Sequence, residues 1–175
     1  MASDPRDELW KACFETYYDT YFQEVVADGL INHWQRVDEV TRVLVAITAS
    51  GSAVSGWALW TRSHFRGVWV LLAGAAALLA IVHAALGISD RLKYQGELKR
   101  RFSGLRTELE TFRYRMCVDT NFPVDKFTVE FGEFRRRYSD AVQLLRNDLL
   151  LTRSFEIRRQ RELNERLRDE IEEPI

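Results

Sequence analysis

Apolar positions along this chain change period twice. Near the N-terminus, Trp10, Phe14, Tyr17, Tyr21 and Val25 are spaced 4, 3, 4, 4, which is one face of a helix, and Tyr18 and Phe22 widen it. From residue 43 the periodicity gives way to uncharged sequence. Residues 43–61 and 67–89 hold no Asp, Glu, Lys or Arg, and the polar stretch Arg62-Ser63-His64-Phe65-Arg66 separates them. Helical spacing then returns. Leu98, Phe102, Leu105, Leu109, Phe112 and Met116 are spaced 4, 3, 4, 3, 4, as are Phe127, Phe131, Phe134, Tyr138, Ala141 and Leu145. No stretch of strand alternation competes with these patterns. The expected fold class is all-α.

The two uncharged runs set the expected architecture. A helix rises about 1.5 Å per residue, and crossing the hydrocarbon of a bilayer takes about 20 apolar residues. Both runs fit. Unpaired backbone amides are costly in lipid, so such runs must be helical. The pattern predicts a two-helix transmembrane hairpin over 43–89, continuous with a cytoplasmic antiparallel helical bundle. That bundle is an amphipathic helix over 1–42 and further helices over 90–175. The first apolar run begins after 42 mostly polar residues, which argues against a signal peptide. An even number of crossings puts both termini on one side. Arg36, Arg42, Arg91, Lys93, Lys99, Arg100 and Arg101 flank the hairpin there, so the positive-inside rule predicts the inner membrane with both termini cytoplasmic.

Boundaries follow from capping chemistry. Ser3 or Asp4 before Pro5 starts the first helix. Gly29 is a candidate kink. Asn121-Phe122-Pro123 ends the helix after the hairpin, because the residue before proline avoids helical geometry. Beyond Leu149, Leu150 and Leu151 the tail is densely charged, with a narrow strip of Leu163, Leu167 and Ile171. It is expected to be a solvated helix or a weak self-association handle, with pairs Arg158–Glu162, Arg161–Glu165 and Arg166–Glu170.

Charge sharpens the picture. The net charge is −1, but residues 1–42 carry nine acids and four bases, while 90–115 carry eight bases and four acids. An acidic leading arm beside a basic return arm would attract. The acidic arm argues against nucleic acid, so its aromatics are expected to pack in a core. Arg135, Arg136 and Arg137 are expected to be a solvated face. No phosphate-binding loop, nucleophile elbow or HExxH occurs. His33, His64 and His83 are scattered, and Cys13 and Cys117 belong to no CxxC. The sequence predicts no enzyme, no cofactor and no metal.

Two sets of residues are candidates for function. Thr48, Ser52, Ser55 and Arg62 share a weakly polar face of the first apolar run, and His83 borders the small strip Ala73, Ala76, Ala80, Ala84 and Gly87 of the second. They are expected to line a pore or to pack helices, since small residues let helices approach closely in lipid. Leu98, Phe102, Leu105, Leu109, Phe112 and Met116 are expected to form an oligomer or bundle seam. Two membrane helices enclose no channel, so any pore requires a homo-oligomer.

This layout resembles the SLATT family, the SMODS- and SLOG-associating two-transmembrane effectors. The features are an amphipathic N-terminal helix, a small-residue-rich hairpin, and a return helix. The return helix contains Ser89-Asp90-Arg91-Leu92-Lys93-Tyr94 and Phe102-Ser103-Gly104-Leu105-Arg106-Thr107-Glu108-Leu109-Glu110. The resemblance implies an oligomeric membrane effector of bacterial anti-phage defence that forms a pore or disrupts the bilayer. Its trigger would be a nucleotide second messenger or a partner sensor protein acting on the cytoplasmic helices. The alternative is a membrane-anchored scaffold that recruits a cytoplasmic partner through its charged tail.

Overall fold

A computed structural model describes residues 4–60, 66–119, 121, 123–145 and 148–172. Five helices follow in order: α1 Pro5–Trp60, α2 Arg66–Leu86, α3 Ile88–Val118, α4 Val124–Leu145 and α5 Arg153–Glu172. No strand occurs among the described residues, so the chain is all-α. It divides into two compact units. One is Met1–Leu30 with Tyr94–Ile175; the other is Ile31–Lys93. The second unit is therefore wider than the 43–89 hairpin expected from composition.

The helix ends obey local chemistry. Asp4 caps α1, its carboxylate accepting the Arg6 amide hydrogen bond at 2.9 Å, and Pro5 opens the helix. Thr152 caps α5 through its hydroxyl and the Phe155 amide. The apolar run 67–89 is not one helix. Gly87, with φ of +54°, ends α2, and its carbonyl accepts from the amides of Asp90 and Arg91 in the new helix. Only glycine takes that left-handed angle without strain, which makes it a common helix stop. Gly29, by contrast, does not break α1. A methyl group there would collide with the Arg159 guanidinium of α5, so its smallness makes room for that side chain.

In the unit Met1–Leu30 with Tyr94–Ile175, the first half of α1 runs antiparallel to α3. Lys99 pairs with Asp28 at 2.6 Å and Arg106 with Glu24 at 2.7 Å. The Arg113 guanidinium lies 5.0–5.1 Å from the Trp10, Phe14 and Tyr17 rings. α4 folds back on α3: Arg137 grips Glu108 at 2.5 and 3.0 Å, and Arg115 pairs with Glu130. Phe112, fully buried, packs against Phe127, Phe131 and Phe134 of α4 and shares a core with Leu9 and Cys13 of α1. Tyr94 donates to the Leu144 carbonyl at 3.1 Å, which satisfies one of the open acceptors at the end of α4.

One expectation about this unit holds in part and one is corrected. The aromatic face of α1 is core in its second half, where Tyr21 and Val25 are buried. Leu9, Cys13, Thr16 and Thr20 are buried one position away, whereas Phe14 is 48% exposed. The hydroxyls of Thr16 and Thr20 bond carbonyls one turn back, so burying them leaves no unpaired donor. Trp10, Phe14 and Tyr17 hold the Arg113 guanidinium. The charged tail is not a solvated helix. α5 packs on α1, with Leu163 fully buried beside Tyr21 and Val25, and Phe155 beside Val26, Ala27 and Leu30. Tyr18 donates to Asn164 at 2.7 Å and accepts from Gln160. Glu162 pairs with Arg159 and Arg166 at 2.5 and 2.6 Å, not with Arg158.

Removing the ring with Phe112→Ala should destabilise this unit by about 3–5 kcal/mol, the usual cost of emptying a buried aromatic site. Denaturant melts of the full chain followed by circular dichroism check it; a loss under about 1 kcal/mol would mean that the ring is not central. Burial works against the Glu162 charge, but hydrogen bonds from Arg159 and Arg166 prevail and hold its carboxyl below the ordinary value of 4.5. Its contribution is present above that value and is lost as pH falls through the lowered one. Hydrogen exchange should therefore accelerate in α5 on acidification below 4.5, and Glu162→Gln should flatten that dependence.

Candidate functional site

The candidate site is the surface of the unit Ile31–Lys93. At its polar end Trp34 is buried and carries the Arg91 guanidinium 5.2 Å above its ring. Asp38 pairs with Arg42 at 2.9 Å one helical turn apart. Tryptophan and arginine together give an amphipathic layer, apolar in body and charged at the tip.

Beyond this layer the character changes. Val40, Val43, Leu44 and Ile47 of α1 are 42–62% exposed and follow i, i+3, i+4, i+7 spacing. On α2, Val70, Leu71, Leu78 and Ile81 are 63–75% exposed. Ala80 and Ala84, members of the small strip, are exposed too, and Ala76 is half-buried. Neither stripe is covered by the chain. Exposing large aliphatics in series is costly in water, at about 25 cal/mol per Å² of apolar surface, and contiguous patches of this kind mark contact with lipid or protein.

Among the described residues no helix is long and apolar enough to cross a membrane. That finding covers only part of α2, since the side chains at 66–69 and at several later positions lie outside the described set. The expected transmembrane hairpin is thus not established by the fold. The candidate pore residues fall in the same gap. Thr48, Ser52 and Ser55 lie on α1, and His83 on α2, but their side chains are outside the described residues; Arg62 is outside altogether. So are the side chains of Trp57, Trp60 and Trp69.

The second candidate set is brought together. Leu98, Phe102, Leu105, Leu109 and Phe112 are buried within one chain, and Met116 packs at the edge of the same core. Their surface is consumed by α1 and α4. The groove between α3 and α4, lined by Arg101, Leu105, Arg137, Asp140 and Ala141, encloses about 290 Å³. Its charges are paired: Arg137 with Glu108, Arg101 with Glu97 at 3.3 Å. It offers no free cation pair for a phosphate. Among the described residues no group of three or more His, Cys, Asp and Glu side chains could hold a metal ion. Burial pushes the Cys13 thiol up to about 11, against the opposing charge of Arg113, so it stays protonated and unreactive. Cys117 is free and exposed.

Sequence patterning missed the Arg113 clamp. The available signal was a row of cations on α3, Lys99, Arg106 and Arg113, spaced seven apart beside the apolar seam. Arg106 also lies 4.8 Å over the Tyr21 ring.

No family model, curated protein or solved structure matches the chain.

Three rings around one guanidinium should contribute about 1–2 kcal/mol beyond their burial. Arg113→Met keeps the bulk and removes the charge. It should lower the stability of the unit by about that amount, read from denaturant midpoints, while Arg113→Lys retains part of it. Equal losses for both variants would show that bulk alone matters.

Proposed function

We propose that this chain is an oligomeric membrane effector, embedded through the helices of the Ile31–Lys93 unit, that forms a pore or disrupts the bilayer. The observation that carries this reading is the uncovered aliphatic surface on both α1 and α2. Lipid is the solvent in which such a surface costs nothing, and the uncharged sequence of 43–61 and 67–89 supplies the length. The amphipathic layer of Trp34 and Arg91 suits the polar boundary of a bilayer. Two helices enclose no lumen, so conduction requires several copies. Thr48, Ser52, Ser55, Arg62 and His83 remain the residues proposed to line or pack the pore. The proposed setting is bacterial anti-phage defence at the inner membrane with both termini cytoplasmic, as the SLATT resemblance implies. The trigger is a nucleotide second messenger or a partner sensor acting on the helical unit.

The scaffold alternative draws less support. It needs a charged tail free to capture a partner, whereas the apolar strip of α5 is spent on α1. Deleting 158–175 would remove Leu163 from a core, so lost partner capture would no longer be diagnostic.

Full-length protein should sediment with membranes and resist a carbonate wash. Dye-loaded vesicles carrying it at high density should leak several-fold faster than empty ones. Leu78→Arg places a charge costing about 3 kcal/mol in mid-bilayer, and should shift the chain toward the aqueous fraction and remove the leak. A wild-type chain that remains monomeric in the detergent-free aqueous fraction overturns the proposal.

A further inference from the structure

α5 docks as a body, and it docks on α1. Phe155 shares a core with Val26, Ala27 and Leu30 of α1 and with Ala141 and Leu145 at the end of α4. Further along, Leu163 sits beside Tyr21 and Val25, and Tyr18 bonds Gln160 and Asn164. The later residues of α5 meet the earlier residues of α1, so the two helices are antiparallel. Among its described residues Phe155 and Leu163 are the buried ones. Glu162 takes both Arg159 and Arg166 from the same helix, so this ion-pair network travels with α5.

The turn Asp148–Thr152 ties this helix to its own chain. Asp148 fixes the turn: Oδ1 accepts from the Leu150 amide at 2.8 Å, and Oδ2 accepts from Gln95 Nε2 at 2.7 Å. Leu150 and Leu151 lie half-buried at the edge of the Phe155 core. Two features work against closure. Gln95 falls three residues before Leu98 on the apolar seam of α3 and is 1% exposed. Its side-chain carbonyl oxygen has no hydrogen-bond partner. A buried acceptor left unpaired has lost its bond to water and gained none. Leu149, in the turn itself, is 69% exposed. Opening the turn withdraws Asp148 and lets water reach the Gln95 amide. Extended, the five turn residues reach about 17 Å, which is nearly twice the spacing of about 8–10 Å between packed helices.

We propose that this turn is a hinge through which two copies of the chain exchange α5, each helix docking on α1 of the other copy. The copies stand side by side, and α5 keeps its antiparallel direction against α1. The exchange reproduces the α1–α5 contacts of the single chain, including the room that Gly29 leaves for Arg159, so it requires no new complementarity. The balance between single and exchanged forms is then set chiefly by concentration and by the turn, where the contacts differ. Asp148, Leu150 and Leu151 favour the single form; the unpaired Gln95 oxygen and the bare Leu149 favour exchange. A reciprocal exchange closes on itself as a two-fold pair. This inference goes beyond the membrane reading and does not depend on it.

The experiment uses full-length chains in detergent, without the native thiols (Cys13→Ala, Cys117→Ser). One chain carries Tyr18→Cys and the other Asn164→Cys. These side chains meet in the docked helix pair, so a short bismaleimide joins two chains when α5 of one lies on α1 of the other. The chains are mixed at tens of micromolar and held until their mass by light scattering is constant. A covalent dimer on a denaturing gel is expected, with several-fold less when the mixture is prepared a hundredfold more dilute. Asp148→Ala in both chains should raise the bridged fraction several-fold, because it loosens the turn and leaves the docked face intact. Adding Leu163→Arg should abolish bridging, because it spoils docking. No bridge between chains, while one chain carrying both cysteines bridges internally, would overturn the proposal. So would a bridge that survives Leu163→Arg, or one indifferent to Asp148→Ala. If a cysteine variant unfolds, light scattering of the wild-type chain against Asp148→Ala carries the test: a rise in dimer mass is expected, and an unchanged monomer overturns the hinge. The readout is pairing and not leakage, so its failure leaves the membrane reading to its own test.

Discussion

The unit built from Met1–Leu30 and Tyr94–Ile175 depends on burying one ring. Phe112 has no exposed surface, and it touches three phenylalanines of α4 while lying in the same core as Leu9 and Cys13 of α1. A single side chain thus joins three helices. Aromatic contacts of this geometry add about 0.5–1.5 kcal/mol each to the burial. The ion pairs around them play a different part. Lys99–Asp28 and Arg115–Glu130 are at least a third exposed on one or both sides, and such pairs are individually worth about 0–1 kcal/mol. Arg106–Glu24 is better sheltered. Burial supplies the stability; the pairs fix the register in which α1, α3 and α4 slide together.

That division explains what could be read from the sequence. Heptad-like spacing located α3 and α4, because their buried positions recur every three or four residues and nothing else competes for those faces. Pro5, Asp4 and Pro123 marked helix ends because their chemistry is local. The failures share a cause. At α1 the aromatic stripe suggested core, which holds for Tyr21 and Val25, but toward the N-terminus the fold buries smaller residues one position over and gives Trp10, Phe14 and Tyr17 a guanidinium from α3. At α5 the narrow strip of Leu163 and Leu167 looked too thin to bury. It suffices because α1 presents Tyr21 and Val25 opposite it, and because Gly29 leaves room for Arg159. Pairwise choices across helices are not local, and a single chain's periodicity does not contain them. Residues 43–89 are the opposite case. Their composition is informative, while the side chains that would define a pore, Thr48, Ser52, Ser55, Arg62 and His83, lie outside the described residues.

The two units therefore differ in how they treat apolar surface. In the first, large aliphatics and aromatics are covered by the chain itself. In the second, Val40, Val43, Leu44 and Ile47 on α1 and Val70, Leu71, Leu78 and Ile81 on α2 are uncovered in succession. A soluble domain tolerates single exposed leucines, because much of any protein surface is apolar. It does not ordinarily leave two helical stripes bare while, in the same chain, burying Phe102 and Phe112 completely. The contrast within one molecule is stronger evidence than either exposure alone, since the same chain shows that it can cover apolar surface where it has helices to do so.

The docking of α5 decides what that helix offers outward. A free charged tail would offer a flexible recruiting arm. A docked one offers outward only what its inner strip does not use: Arg158, Arg161 and Glu165 beside Ile157. Charges on a rigid helix discriminate by spacing, since a partner with the wrong interval meets like charge or leaves an ion unpaired. Loose acidic or basic polymers would be held weakly and screened within about 10 Å at ordinary salt.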